Sequence, residues 1–139
     1  MSDTLKSIFF VLIGLILGAL VNMTLITIGP SVIPPPEGID VTTLEGLNAG
    51  MHLMQPKHFF MPFIAHALGT FIGAYIAARM AKSSKIKYGL AVGLLFLFGG
   101  ISMVISVPTP NWFAVVDLMF AYLPMAWLAS KWAVKHSKH

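Results

Sequence analysis

Residues Ser7 to Pro36 read SIFFVLIGLILGALVNMTLITIGPSVIPPP, thirty positions without an Asp, Glu, Lys or Arg. About 20 apolar residues cross a bilayer as a helix, and a helix satisfies its own backbone polar groups where water is absent. The stretch therefore predicts a membrane crossing near 7–29. Its apolar run is too long for a cleaved signal peptide and no small-x-small cleavage site follows, so it is expected to be retained. The same test finds His58 to Ala78 and Tyr88 to Val116 free of charge, and Trp112 to Ala133 interrupted only by Asp117 and Lys131. Further crossings are expected at 59–79, 87–107 and 112–133. The predicted fold class is an all-α integral membrane protein, a four-helix transmembrane bundle forming one polytopic domain over 1–139.

Composition points the same way. The 139 residues are 57% hydrophobic and 10% charged, whereas soluble domains carry about 25% charged residues. A soluble globule of this length has too little interior to hide so much apolar surface. With no cysteine, the chain has no disulfide, thiolate metal site or Cys nucleophile. The net charge of +4 sits at the ends of the crossings rather than along one stripe, so lipid and not nucleic acid is the expected partner.

The cations also orient the bundle. Lys6 precedes the first crossing, Arg79, Lys82, Lys85 and Lys87 join the second to the third, and Lys131, Lys135 and Lys138 close the chain. Only Lys57 falls on the other side. The positive-inside rule makes the cation-rich face cytoplasmic, with both termini inside, in what we expect to be a bacterial inner (plasma) membrane. Trp112 near the outer edge and Trp127 and Trp132 near the inner edge fit aromatic belts.

Small residues recur at helical spacing: Gly14 and Gly18 in the first crossing, Ala65, Gly69, Gly73 and Ala77 in the second, Gly89 and Gly93 in the third. Such stripes let backbones approach closely in lipid. They serve either contacts within the bundle or a homo-oligomer interface.

The outer segment 30–57 is long for a plain loop. Pro34-Pro35-Pro36 should be stiff and extended. Thr42-x-x-Glu45 offers a capping box, and Leu44, Leu47, Met51 and Met54 then mark one apolar helical face until Pro56. A short extracytoplasmic amphipathic helix over 42–54 is predicted between the first two crossings. Its polar residues Glu45, Asn48 and His52 are lid candidates.

Polar residues inside a membrane are costly and form the default functional hypothesis. Counted from the outer ends, Asn22, His66, Ser102 and Asp117 fall at similar depths, about 7–10 Å at 1.5 Å per residue. Thr70 follows one turn below His66. Asn22 continues the Gly14–Gly18 stripe and His66 adjoins Gly69 and Gly73, so convergence of all four crossings on one polar layer is expected. Pro124, seven residues after Asp117, should kink the fourth crossing by leaving the Phe120 carbonyl without its donor. A His66–Asp117 pair would bind and release protons near neutral pH.

His52, His58, His66 and Asp117 are metal-ligand types, but no His-x-x-x-His or His-Glu-x-x-His occurs and no metal is expected. No phosphate loop or cofactor motif is present either, so no cofactor is expected. The leading functional reading is binding or transport of a small molecule or proton through an outer-leaflet polar pocket. An alternative is a membrane-embedded enzyme acting on a lipid-soluble substrate, with His66 as general base oriented by Asp117. A structural or accessory subunit of a membrane complex, in which the polar residues only fix helix register, is the third.

Overall fold

The structure is a computed structural model that describes residues 1–137; Lys138 and His139, the last cation and last histidine of the tail, lie outside the described residues. It is all-helical, with no strand among the described residues. Helix α1 (Asp3–Val32) starts where the Ser2 hydroxyl accepts the Leu5 N–H at 3.2 Å. At 1.5 Å per residue it is about 45 Å long, more than the hydrocarbon core of a bilayer requires. It passes through Pro30 and stops just before the run of three prolines.

Helix α2 (Leu44–Gly50) runs into a 3₁₀ turn at Met51–Leu53, and a second 3₁₀ turn at Pro56–Phe59 leads into α3 (Phe60–Met80). Then come α4 (Lys85–Ser106), α5 (Asn111–Phe120) and α6 (Leu123–Lys135). Four units are long and apolar enough to cross a membrane: α1, α3 with the turn before it, α4, and α5 with α6. The crossings expected near 7–29, 59–79, 87–107 and 112–133 are thus helical units over 3–32, 56–80, 85–106 and 111–135.

Two local expectations are corrected. The short helix is 44–50 rather than 42–54, and its N-cap is Thr43, whose hydroxyl accepts the Gly46 N–H at 3.0 Å. Thr42 instead bonds the Asp40 carboxylate through both its hydroxyl and its N–H, so the Thr42–Glu45 capping box does not form. The fourth crossing is not merely kinked. Tyr122 leaves helical geometry at φ −112°, ψ −84°, which separates α5 from α6 two residues ahead of Pro124.

Helix α3 is the centre of the bundle and packs on α1, α4, α5 and α6. Reversals of the chain put the start of α1, the end of α6 and the 81–84 turn at one end, the terminal end. The 33–59 segment and the 107–110 turn lie at the other, the loop end. At the terminal end the Ser7 and Tyr88 hydroxyls are 2.7 Å apart, Arg79 donates to the Ser137 hydroxyl, and the Lys85 ammonium caps the Ala78, Arg79 and Ala81 carbonyls at the end of α3. A cation there opposes the negative end of the helix dipole.

The small-residue stripes meet each other inside the chain. A methyl group on Gly14 would lie 2.5 Å from the Gly73 carbonyl oxygen, and one on Gly18 would lie 2.5 Å from that of Gly69. Only glycine permits this approach of α1 to α3. Gly89 and Gly93 of α4 serve the same purpose against Ser130 and Ala126 of α6. Between these seams lie Ala74, Ala77, Val92, Ala126 and Ala129, all fully buried. Ala65 is also buried. The stripes that were also candidates for a homo-oligomer contact are therefore occupied by neighbouring helices of the same chain.

Candidate functional site

The loop end is built differently. Phe59, at the start of α3, packs on Phe113 of α5 with ring centroids 4.7 Å apart, which fixes the two helices in register. His66 follows Phe59 by two turns, and Asp117 follows Phe113 by one turn. Both side chains consequently face the α3–α5 seam. His66 Nδ1 lies 2.8 Å from Asp117 Oδ1. The break after α5 turns Tyr122 back onto the same carboxylate, where its hydroxyl donates to Oδ2 at 3.1 Å. Its ring lies nearly parallel to the His66 ring, at 24° with centroids 5.8 Å apart.

Asp117 is 3% exposed and Tyr122 equally buried. Both carboxylate oxygens thus have partners, as a buried charge-capable group requires. Gly100 of α4 makes the room, since a methyl group there would meet the Tyr122 hydroxyl at 2.5 Å.

Above this triad is a cavity of about 230 Å³. His66 and Asp117 form part of its wall, Ile26, Gly29 and Pro30 of α1 another part, and Met103 and Val104 of α4 a third. Leu47, Met51 and Met54 from the segment around α2 line its loop-end side. Its other polar side chains are His58 and Thr109. His58 Nδ1 accepts the Gln55 N–H at 2.8 Å, and the Thr109 hydroxyl donates to the Val107 carbonyl at 3.3 Å.

From the terminal end to mid-helix α1 meets α4, with Ser7 and Phe10 against Tyr88 and the Gly14 and Gly18 positions beside Val92 and Phe96. From Ile26 onward α1 borders the cavity instead, as α4 does from Gly100. Met103, at this border, is 44% exposed. The cavity therefore lies where these two helices part.

Of the four residues expected in one polar layer and Thr70 one turn below, the structure brings His66 and Asp117 together. The other three lie elsewhere. Ser102 is exposed and its hydroxyl donates to the Phe98 carbonyl of its own helix at 2.9 Å. Asn22 sits on the α1–α3 seam beside Gly69, with a buried Oδ1 that has no partner. Thr70 is fully buried, does not line the cavity, and its hydroxyl is likewise without a partner. The ring of polar groups from all four crossings is therefore replaced by a His66–Asp117–Tyr122 triad from two.

Glu45, Asn48 and His52 are exposed, and the cavity is lined by the opposite, apolar residues of that segment. Asn48 uses its amide to hold the Leu44 and Ser106 carbonyls, at 2.9 and 3.2 Å, which ties the α2 segment to the end of α4. Tyr122 escaped sequence reasoning although the signal was available: a phenol five residues past a membrane aspartate, next to a proline-induced break. Among the described residues no three His, Asp or Glu side chains converge as an ion-ligand set. No protein-family profile, curated protein or solved structure with which the chain was compared matches it.

Proposed function

We propose that the protein is a membrane-embedded binder of a small, mostly apolar molecule, held in the loop-end cavity with His66 and Asp117 as its polar anchor. The 2.8 Å contact between the two side chains in the wall of a 230 Å³ cavity carries this reading. Concave, largely apolar sites with a few convergent polar groups are the usual form of small-molecule pockets. The parting of α1 and α4 beside the cavity suits a ligand that arrives from the lipid phase.

Orientation follows the positive-inside rule. Lys6, Arg79, Lys82, Lys85, Lys87, Lys131 and Lys135 are at the terminal end and Lys57 at the loop end. Both termini then face the cytoplasm of a bacterial inner membrane, the cavity lies beneath the extracytoplasmic surface, and the amphipathic segment around α2 acts as its lid. Binding is favoured over passage through the bundle. Below the triad, the glycine seams and the buried cluster around Val92 leave the terminal half tightly packed.

The test is uptake of 2-ethylnaphthalene by the detergent-solubilised protein, measured by equilibrium dialysis against empty micelles of the same detergent. Saturable one-site uptake that disappears in Val104→Trp, which fills the cavity, is the expected result. Uptake that does not saturate and equals that of the micelles overturns the proposal.

A further inference from the structure

The hydrogen-bonding inventory of the cavity specifies the polar end of its occupant. Resting on the binding function above, we infer that the occupant is an uncharged, apolar molecule bearing a carbonyl-type oxygen (a ketone, quinone or ester) that accepts a hydrogen bond from His66 Nε2–H.

The argument begins with charge. Asp117 is 3% exposed and the cavity around the pair is walled by proline, methionine, isoleucine and phenylalanine. An unbalanced charge in such surroundings is expensive, so the favoured states of the His66–Asp117 pair carry no net charge. There are two of them: imidazolium with carboxylate, and imidazole with carboxylic acid. They differ only in which side of the 2.8 Å Nδ1–Oδ1 contact holds the shared proton. In both, Nε2 carries a hydrogen. Only the net-negative pair would offer a lone pair there instead. With Nδ1 committed to Asp117, Nε2 is the nitrogen left for a ligand.

The remaining polar groups agree. His58 Nδ1 accepts the Gln55 N–H, so the proton of the neutral ring is on Nε2 and the ring keeps no free acceptor for a ligand. The Asp117 oxygens are taken by His66 and Tyr122. Thr109 spends its hydroxyl proton on the Val107 carbonyl. The cavity thus offers the His66 N–H donor and no carboxylate oxygen without a partner. An anion would have to shed its water among apolar side chains, whereas a carbonyl oxygen accepts without bringing charge. The volume is below the roughly 300–1,000 Å³ of drug-sized sites, which suits a small ring system or the end of a chain.

The test compares 2-acetylnaphthalene with 2-ethylnaphthalene, which has nearly the same shape and lacks the oxygen. Binding to the solubilised protein is measured by equilibrium dialysis and corrected for uptake by empty micelles. One hydrogen bond should favour the ketone by roughly three- to tenfold, and His66→Phe should remove the preference. In the wild-type protein the carbonyl stretch of the bound ketone should move to lower wavenumber than in the micelle, a readout that needs no variant to fold. Saturable uptake of both probes with equal affinity and an unshifted carbonyl band overturns the acceptor assignment and leaves the binding pocket standing. Failure of either probe to saturate overturns the pocket as well.

Discussion

The two ends of this bundle use the same four crossings to opposite effect. Toward the terminal end, α1 and α3 touch backbone to backbone through Gly14, Gly18, Gly69 and Gly73, and α4 meets α6 through Gly89 and Gly93. Toward the loop end α1 still meets α3 through Gly29 and Met61, but α1 and α4 border a cavity whose wall includes Pro30, Pro62, His66 and Met103. Lipid supplies no hydrophobic drive to hold helices together, so association depends on packing and on a few hydrogen bonds. The glycine seams are packing alone, and the loop end adds the bonds of His66 and Tyr122 to Asp117.

The sharpest way to break this contrast is to enlarge a seam glycine. Gly73→Leu would force a side chain into the Gly14 carbonyl and Val92, and it should cost more than about 3 kcal/mol, beyond the usual range for overpacking. Unfolding of the detergent-solubilised protein should reveal it as loss of the folded form under conditions where the wild type persists. Asp117→Ala attacks the other end. It strands the His66 and Tyr122 donors and should cost about 3 kcal/mol, whereas Tyr122→Phe, which removes one of the two bonds to Asp117, should cost about 1 kcal/mol. Denaturant midpoints of the two variants give the comparison.

A matched pair of enlargements sharpens the contrast further. Val92→Leu adds a methylene where the site is fully buried and should cost about 1–3 kcal/mol. Val104→Leu adds the same methylene beside open space and should cost less than about 1 kcal/mol. Equal losses in thermal scans would mean that the cavity is not space the folded protein keeps.

The smallest effect belongs to the segment outside the crossings. The Thr42 hydroxyl and then its N–H hold the Asp40 carboxyl below its ordinary value. A lowered folded-state value contributes stability above the unfolded-state value and loses it as the pH falls through the folded one. Asp40 is fully exposed, so the expected change in stability is small. Carboxyl chemical shifts should nonetheless show Asp40 titrating at higher pH in Thr42→Val than in the wild type.

Much of the architecture could be read from residue types because a bilayer imposes both length and apolarity on each crossing. The glycine and alanine stripes were visible for the same reason: close approach demands small residues at every fourth position. Counting depth from the crossing ends brought His66 and Asp117 to one level, and the structure has them in contact. Depth does not give direction, however. Ser102 has a comparable depth and points away, bonded to its own helix, because a serine hydroxyl can satisfy itself on the carbonyl four residues back. Around α2 the polar residues Glu45, Asn48 and His52 were the lid candidates, whereas the side chains that line the cavity there are the apolar Leu47, Met51 and Met54. Tyr122 required knowing that the chain breaks before Pro124, and Gly100 required knowing what would fill its missing side chain.

The most direct measurement is the nitrogen NMR spectrum of His66 in lipid bilayers, recorded for the wild type and for Asp117→Leu. Retention of the Nε2 proton in the wild type, with the proton shared between Nδ1 and Asp117 shifted strongly downfield and that signal lost in the variant, is the result expected of a buried imidazole held by Asp117 and presenting Nε2–H to the cavity. A ring that exchanges freely between tautomers, with the same spectrum whether or not Asp117 is present, would contradict it.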